Sequence, residues 1–379
     1  MIQSGVEVYR LNFNFFSPQA RGAASTSMHG EKDARIDLFV QFNAHGGVLK
    51  RALNSRFLLG GALVREAERA LKNLGLDAFQ PAVVHAHDPI LLPLAANLAK
   101  AHKNWRVVYD RHELYEDSHT DRGINVATAL EKIAKKHISG VVVVSDEHIE
   151  VTARRFPAAG VVSVPNYPSI RDYDKKIIEE KIKSLDNDTK VVISYIGSLD
   201  NSFDRDIDLM LKIGEQAAAS EKARFLIGGR VADTKLEKKL QTLAQKFPED
   251  FSFLGYVPRN RTVELTARSH IGLYLMKPDT CYWVKCSPNK VFEYLICGVV
   301  PVIRADVDRA EDISTSSLLF DRNAKEDEIV DEVMSLILDK ERLKFMMKSA
   351  REQSKNFTFE SVAGRYTEIY RTIMNRKTE

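Results

Sequence analysis

The chain has 379 residues, a formal net charge of +3 and 44% hydrophobic residues. This length suits two domains of ordinary size, and the composition is that of a folded globular protein and not of a disordered or fibrous one. No apolar run approaches the roughly 20 residues that span a bilayer, and the N-terminus lacks a signal-peptide pattern. The three cysteines cluster late in the chain without a C-x-x-C pair. We therefore expect reduced thiols, a cytoplasmic protein and no zinc site.

The charge distribution bears on the choice of partner. Basic residues exceed acidic ones in the first 185 residues but not in the remainder. This mild asymmetry permits contact between the first half and an anionic membrane surface. Basic residues are not interleaved with stacking aromatics, so no nucleic-acid partner is expected.

The first half alternates strand and helix patterns. Two of its buried strands run straight into polar side chains: His85 and His87 end one, and His112 and Glu113 follow the next. Ligands of an open parallel sheet bind at the carboxyl ends of its strands, so these side chains are expected to meet at one edge. His85 and His87 share a face, and one of them is expected to be structural. His112 and Glu113 either cap the chain locally or contact a substrate.

A charged segment poor in core residues, 170–190, predicts the domain linker. Beyond it the alternation restarts, and an amphipathic segment at 359–374 predicts a terminal helix that crosses back to the first domain. The sequence predicts strands at 5–11, 36–42, 81–89, 105–109, 140–144, 161–164, 191–196, 223–227, 251–254, 271–275 and 299–303, and helices at 51–74, 91–101, 127–138, 207–219, 236–247, 260–268, 287–297, 325–354 and 359–374.

The stretch 287–298 carries the clearest helix signals. Ser287 is placed to cap it, Pro288 suits a first turn, and Gly298 is placed to end it in a left-handed conformation. A continuous apolar strand follows at once, which is typical of an α/β unit.

The same helix has a polar side near its N-terminus, formed by Asn289, Lys290 and Glu293. That end of a helix has free N–H groups and a partial positive charge, so with Lys290 beside it a phosphate or pyrophosphate would be well held. Glu293, one turn further on, is placed to accept hydrogen bonds from a sugar diol. The alternative is an ordinary capped helix packed on a parallel sheet, with a solvated glutamate.

Five segments, in chain order, resemble the retaining GT-B glycosyltransferases of family 4: 83–88, 107–116, 195–199, 253–257 and above all 287–301. The resemblance implies an α/β fold of two doubly wound Rossmann-like domains facing a cleft. It implies an acceptor domain at 1–180, a donor domain at 181–355 and a C-terminal helix at 356–379 that crosses back.

What the resemblance implies about activity is transfer of a sugar from a nucleotide-diphosphate sugar to a glycan or lipid-linked acceptor, with retention and without a metal or other cofactor. The setting would be cell-surface glycan or glycolipid biosynthesis, in the cytoplasm or at the inner face of the membrane. The alternatives are a catalytically degenerate GT-B subunit that binds a nucleotide or a partner, and a nucleotide-sugar epimerase. A dinucleotide-dependent dehydrogenase is disfavoured because no Gly-x-Gly-x-x-Gly run occurs.

The resemblance also assigns site residues. His87 would lie beside the transferred sugar, with His112 and Glu113 as further catalytic candidates, and Glu293 would bind the nucleotide ribose. The donor would be held by Gly197, Ser198, Arg205, Arg230, Lys285, Ser287, Asn289, Lys290 and Glu293.

Some positions depart from the family pattern. Lys285 stands where the family has an acid, Ser198 stands where it has an arginine, and Arg205 would replace that arginine from a longer loop. The family's initial strand, glycine-rich loop and helix have no counterpart before 5–11. We therefore expect either a fragment or a reduced N-terminal domain. These departures favour the degenerate subunit, whereas Lys285 argues against the epimerase.

Overall fold

The computed structural model describes residues 7–12, 36–41, 64–65, 68–69, 72, 81–115, 121–200, 204–231, 233–278 and 287–376; for residues 7–12, 36–41 and 121–125 it describes the backbone alone. Most of the predicted helix 51–74 thus lies outside the described residues. The chain forms two compact units: the first comprises residues up to Pro165 together with those from Ala363, and the second runs from Asn166 to Val362.

The first unit is built on a six-stranded sheet whose described strands are all parallel and lie in the order of the sequence. Its buried core comes from apolar runs such as 82–86 and 105–109. Its elements are β1 (Glu7–Asn12), β2 (Ile36–Gln41), β3 (Ala82–His87), α1 (Leu92–Ala101), β4 (Trp105–Arg111), α2 (Asp121–Ala134), β5 (Ile138–Val143), α3 (His148–Arg155) and β6 (Gly160–Ser163).

The second unit has a larger core around a second parallel sheet. Its elements are α4 (Lys175–Ser184), β7 (Val191–Ile196), α5 (Ile207–Ala219), β8 (Ala223–Gly228), α6 (Thr234–Lys246), β9 (Phe251–Phe253), α7 (Arg259–Arg268), β10 (Ile271–Leu275), α8 (Asn289–Ile296), β11 (Val300–Arg304), β12 (Leu318–Phe320), α9 (Glu326–Leu338) and α10 (Lys340–Gln353). The strand order β12-β11-β10-β7-β8-β9 reverses direction between β10 and β7. Such a reversal point is where open α/β sheets bind ligands.

The last helix, α11 (Phe359–Asn375), joins the first unit from Ala363 onward. It packs closely on β5, because a Cβ added at Gly140 would lie 2.9 Å from Cδ1 of Ile369. Arg365 also donates a hydrogen bond to the carbonyl of Ser163 at the end of β6, 2.8 Å away.

The segment 170–190 differs from the sequence analysis. It contains α4, and the two units divide before it, at Pro165 and Asn166. Ile178 and Ile182 of α4 are buried in the second core, which explains why this helix belongs to the second unit. Most residues of α4 are charged, and this composition hides its narrow apolar face.

The start of α8 also differs from expectation. The helix begins at Asn289 with Pro288 as the N-cap, and no side chain caps it, so the assignment of Ser287 as the cap is wrong. Its end is as predicted: Gly298 has φ +59° and donates to the carbonyl of Leu295. A residue with a side chain would be strained there, and its Cβ would lie 3.0 Å from Ile182.

Two parallel-sheet Rossmann-like units confirm the predicted α/β class. Among the described residues, no helix has both the length and the apolar character needed to cross a membrane.

Candidate functional site

In the first unit, polar side chains meet where β3 and β4 end. His87 and Asp110 are register partners on these neighbouring strands, and His87 Nδ1 lies 2.7 Å from Asp110 Oδ2. The same oxygen lies 3.3 Å from His112 Nε2 and 3.6 Å from His85 Nε2. We call His85, His87, Asp110 and His112 the histidine cluster. Three histidines thus lie around the carboxylate of Asp110 at this edge.

Burial and hydrogen bonding have opposite effects in this cluster. Asp110 is only 3% exposed, which by itself raises its pKa, but hydrogen bonds from His112, His85 and His87 hold the pKa well below the usual value. Burial also lowers the pKa of His112, yet the hydrogen bond to Asp110 and the charges of neighbouring carboxylates raise it to about 9. Asp110 and His112 therefore form a carboxylate–imidazolium pair at neutral pH.

His87 has the opposite electrostatic character. Burial lowers its pKa more than the hydrogen bond with Asp110 raises it, and the positive charges of His85 and His112 lower it further. A neutral imidazole held through Nδ1 by a carboxylate is the form that can accept or donate a proton in catalysis. Its side chain is 20% exposed, while its Nε2 atom is buried.

His85 is held from the side of the C-terminal helix. It is 1% exposed, its ring stacks on that of His87 with centroids 4.5 Å apart, and its Nδ1 lies 2.5 Å from the hydroxyl of Tyr370 in α11. His85 is thus the packed member of the pair and His87 the more exposed one. Glu113, the remaining catalytic candidate, is exposed, and its negative charge helps to raise the pKa of His112.

The backbone is strained where β3 ends. Asp88 has φ +63°, a conformation that residues other than glycine seldom adopt. It is stabilised by the hydrogen bond from the Asp88 N–H to the carbonyl of Asp110 and by the one that Tyr115 donates to the Asp88 carboxylate at 2.9 Å. Strain of this kind is concentrated at functional sites.

In the second unit, the first turn of α8 lies against the end of β7. Lys290 Nζ donates to the carbonyl of Ile196, 2.5 Å away, and lies 5.7 Å from the centre of the Tyr195 ring. Burial is the main reason why the pKa of Lys290 is lowered, and the positive charges of Arg259 and Arg205 lower it further. A cation so surrounded would be stabilised by a bound anion. We call this region, where β7 and β10 end beside α8, the switch-point edge.

Two glycines shape this edge. A Cβ at Gly197 would lie 3.0 Å from the Tyr195 hydroxyl and 3.4 Å from Cε of Lys290, so the absence of a side chain keeps the entry to Lys290 open. Gly229 has φ +154°, and a Cβ there would lie 1.6 Å from the carbonyl oxygen of Gly197. The loops that follow β7 and β8 therefore approach each other more closely than a side chain at position 229 would permit.

Arg205 and Arg230 lie in the loops that follow β7 and β8. Arg205 pairs with Asp204, donates to Met276 and lies 5.1 Å above the Tyr274 ring. Arg230 is exposed, and its guanidinium lies 5.0 Å from the ring of Tyr256. Arg205 lies near enough to Lys290 to lower its pKa, and the backbone carbonyl of Arg230 accepts a hydrogen bond from the N–H of Leu199 in the loop after β7.

Glu293 is buried, so the alternative of a solvated glutamate is wrong. It is 8% exposed and forms an ion pair with Arg259 at the start of α7. Helical spacing places it on the polar side, but packing of α7 against α8 covers it. Its carboxylate is held in one orientation, which is a requirement for a specific ligand contact.

The other residues predicted to bind the sugar donor are dispersed around this edge. Asn289 is exposed in the first turn, and Ser198 contributes its carbonyl oxygen, which accepts a hydrogen bond from Tyr195. Ser287 Oγ is buried and has no hydrogen-bond partner among the described residues. Lys285 lies outside the described residues.

Sequence reasoning did not assign three residues of these two sites. Asp110 lay within the polar run at the end of β4, but its central role depends on the register with β3. Tyr370 is 285 residues from His85, and Arg259 is 34 residues from Glu293. No local pattern could have revealed either of these two pairs.

The two units have the fold of GT-B glycosyltransferases, so the predicted resemblance is confirmed at the level of the fold. The model of Glycosyltransferase Family 4 matches residues 23–167. Among solved structures, sucrose-phosphate synthase from Thermosynechococcus elongatus is similar at 13% identity and a TM-score of 0.64, covering 90% of this chain and 89% of that one. Anabaena HepE with UDP and glucose is similar at 15% identity and a TM-score of 0.58, covering 89% and 92%.

A variant of S. aureus TarM, in complex with fondaparinux, alpha-GlcNAc-glycerol and UDP, is similar at 15% identity and a TM-score of 0.60. The match covers 81% of this chain, which spans 58% of the length of TarM. No curated protein matches the chain significantly by sequence.

Proposed function

We propose that the protein transfers a sugar from a nucleotide-diphosphate sugar to a glycan or lipid-linked acceptor with retention of anomeric configuration. The observation that carries this proposal is the position of Lys290. Its ammonium lies at the reversal point of the second sheet, beside Gly197 and in the first turn of α8. A diphosphate there would contact a partly buried cation and the free N–H groups of a helix start.

In this proposal the donor needs no metal ion. Arg205 lies near enough to Lys290 to lower its pKa, and Arg230 lies in the loop after β8, so side chains would balance the charge that a divalent ion neutralises in other transferases. Glu293, fixed by Arg259, accepts hydrogen bonds from the ribose hydroxyls.

The histidine cluster would serve the transferred sugar and the acceptor. His87 is the more exposed, neutral imidazole, and Asp110 orients it through Nδ1. Asp110 and His85 are positioning residues in this account, because they act through His87. HepE and TarM, whose structures hold UDP, support the proposal only as relatives in fold.

The setting we propose is the surface of an anionic membrane, in cell-surface glycan or glycolipid synthesis. Ile133 is 52% exposed at the end of α2, and Lys132, Lys135 and Lys136 are exposed around it. Burial and the positive charges of Lys100 and Lys136 lower the pKa of the adjacent His137. An apolar side chain ringed by cations is typical of peripheral attachment to acidic lipids.

Thermal unfolding with UDP, GDP, ADP and their sugars tests donor binding, because a ligand of the folded state at a hundredfold excess over Kd adds about 2.7 kcal/mol. The best donor is then incubated with candidate acceptors in the presence of a chelator, and the anomeric configuration of the product is read by NMR. Transfer with retention supports the proposal. Binding without transfer to any acceptor would favour the degenerate subunit, and interconversion of the free nucleotide-sugar would favour the epimerase.

A further inference from the structure

We propose that His85, His87 and Asp110 form a binding site for one divalent transition-metal ion of the Zn²⁺ type. One ligand atom from each residue can be chosen so that all three lie within 4.8 Å of one another. His87 Nδ1 and His85 Nε2 lie 2.7 and 3.6 Å from Asp110 Oδ2. Ligand atoms around a tetrahedral Zn²⁺ with bonds of about 2.0–2.1 Å are roughly 3.4 Å apart, so small side-chain shifts suffice.

The donor set selects the kind of ion. Two imidazole nitrogens and one carboxylate oxygen suit Zn²⁺ and Co²⁺, whereas Mg²⁺ prefers a shell of oxygens. Asp110 is buried and is the register partner of His87, so the three ligand residues are grouped inside the protein and not spread over its surface.

The surroundings hold the ligands as a metal site requires. The hydroxyl of Tyr370 lies 2.5 Å from His85 Nδ1, so it fixes the ring with Nε2 toward Asp110. His112 Nε2 lies 3.3 Å from the same carboxylate oxygen. Hydrogen bonds to the second nitrogen of a ligand histidine and to its carboxylate are the usual support of metal ligands. All three ligands also lie on β3 and β4, which pair in register.

Binding would have a consequence for the cluster. An ion held by His87 Nδ1 and Asp110 Oδ2 replaces the hydrogen bond between them and occupies the imidazole of His87. Zn²⁺ would therefore inhibit a reaction that uses His87 while leaving the switch-point edge unaffected. The metal site itself does not depend on the proposed transferase activity.

The test uses the full chain without a histidine tag, treated with a chelator and dialysed against Zn²⁺, Co²⁺ or Mg²⁺. We expect one Zn²⁺ or Co²⁺ per chain, a visible d–d spectrum with Co²⁺, and no retained Mg²⁺. His85→Gln, His87→Ala and Asp110→Asn should each weaken Zn²⁺ binding by at least tenfold, and Tyr370→Phe by about tenfold.

His102→Gln is the matched control, because His102 lies 3.1 Å from Glu68 outside the cluster and its loss should leave binding unchanged. Circular dichroism checks that each variant is folded. The Co²⁺ spectrum of the wild type tests the metal site independently of the variants. The proposal is overturned if the wild type retains no ion, or if Zn²⁺ binding persists unchanged in the folded ligand variants. Donor binding measured with chelator present is a separate result, so failure of one proposal is not mistaken for failure of the other.

Discussion

The ammonium of Lys290 and the carbonyl of Ile196 are joined by a hydrogen bond of 2.5 Å, which ties the start of α8 to the end of β7. This contact places a desolvated cation at the reversal point of the second sheet. A partly buried ammonium that donates to a carbonyl is stabilised further by an anion, and this is why we expect the diphosphate of the donor there.

We predict that Lys290→Met weakens binding of a nucleoside diphosphate by at least tenfold and leaves nucleoside binding within about threefold. Methionine keeps much of the aliphatic stem and removes the charge, so only the phosphate contact is lost. Unfolding of the free protein should be unchanged or require more denaturant, because a desolvated charge has been removed. Calorimetry with nucleoside, monophosphate and diphosphate measures the first effect. Lys238→Met, at an exposed position of α6, is the control. A diphosphate affinity of the Lys290 variant equal to that of the wild type would refute the assignment.

Glu293→Gln should lower nucleotide affinity by about tenfold or more. It keeps the shape of the side chain and removes the charge that would bind two ribose hydroxyls, each charge-assisted bond being worth roughly 1.5–3 kcal/mol. Arg259→Ala removes the partner of Glu293 and leaves the carboxylate in place. A double-mutant cycle separates orientation from charge: if Arg259→Ala alone reproduces the whole loss, Glu293 acts only as a structural partner.

His87→Ala should reduce turnover by a few orders of magnitude while nucleotide affinity stays within about threefold, because a group at the reacting centre acts mainly on the rate. Asp110→Asn should reduce kcat less and shift the pH profile, since it removes the carboxylate that orients His87. Assays are run with chelator to keep metals away from the cluster. An unchanged kcat in His87→Ala would show that this histidine has only a packing role.

From the titration of His270 we predict how the stability of the second unit depends on pH. Burial and the charges of Lys181 and Lys340 lower its pKa from 6.5 to about 3, and its Nδ1 accepts a hydrogen bond from the N–H of Val192. The unfolded chain therefore binds a proton between pH 6.5 and 3 that the folded chain does not. Stability present above pH 6.5 is lost as the pH falls through this window, by an amount on the order of 3–5 kcal/mol.

His270→Asn keeps a hydrogen-bond acceptor and removes the titration. The variant should have lower absolute stability than the wild type near pH 7 and a flatter dependence between pH 6.5 and 3, measured by urea unfolding at several pH values. His102→Gln, in the first unit, controls for loss of an imidazole. Parallel curves for wild type and His270→Asn would contradict the assignment.

Lipid binding is expected to depend on Ile133 and the lysines beside it. Each lysine near an acidic membrane contributes about 1 kcal/mol, so replacing Lys135 and Lys136 together by Gln should weaken binding to phosphatidylserine-containing vesicles about thirtyfold. Ile133→Glu should abolish it. Cosedimentation with vesicles measures this, with phosphatidylcholine vesicles and the Lys238→Gln variant as controls. Binding that is equal on neutral vesicles, or intact in the variants, would exclude this surface.

The local sequence was sufficient for strands β7 to β11 of the second unit. Apolar runs such as 191–196 and 271–275 coincide with β7 and β10, and the stop at Gly298 was predicted correctly, because a buried strand needs a continuous apolar run and a left-handed turn needs glycine. The charged helix α4 was missed, since a narrow apolar face is diluted by the lysines and glutamates around it. The N-cap of α8 was assigned to Ser287 but is Pro288, because serine and proline are both common at the start of a helix.

The chemistry of the two candidate sites depended on long-range packing. The polar ends of β3 and β4 were visible as sequence, but only their register brings three imidazole nitrogens to one oxygen of Asp110. Tyr370 reaches His85 because α11 returns to the first unit, and Arg259 covers Glu293 because α7 packs beside α8. A one-dimensional pattern records which side chain a residue carries and which face of its own element it occupies. The burial that shifts the pKa of His87, His112 and Lys290 is contributed by other elements, so it was decided only when the chain folded.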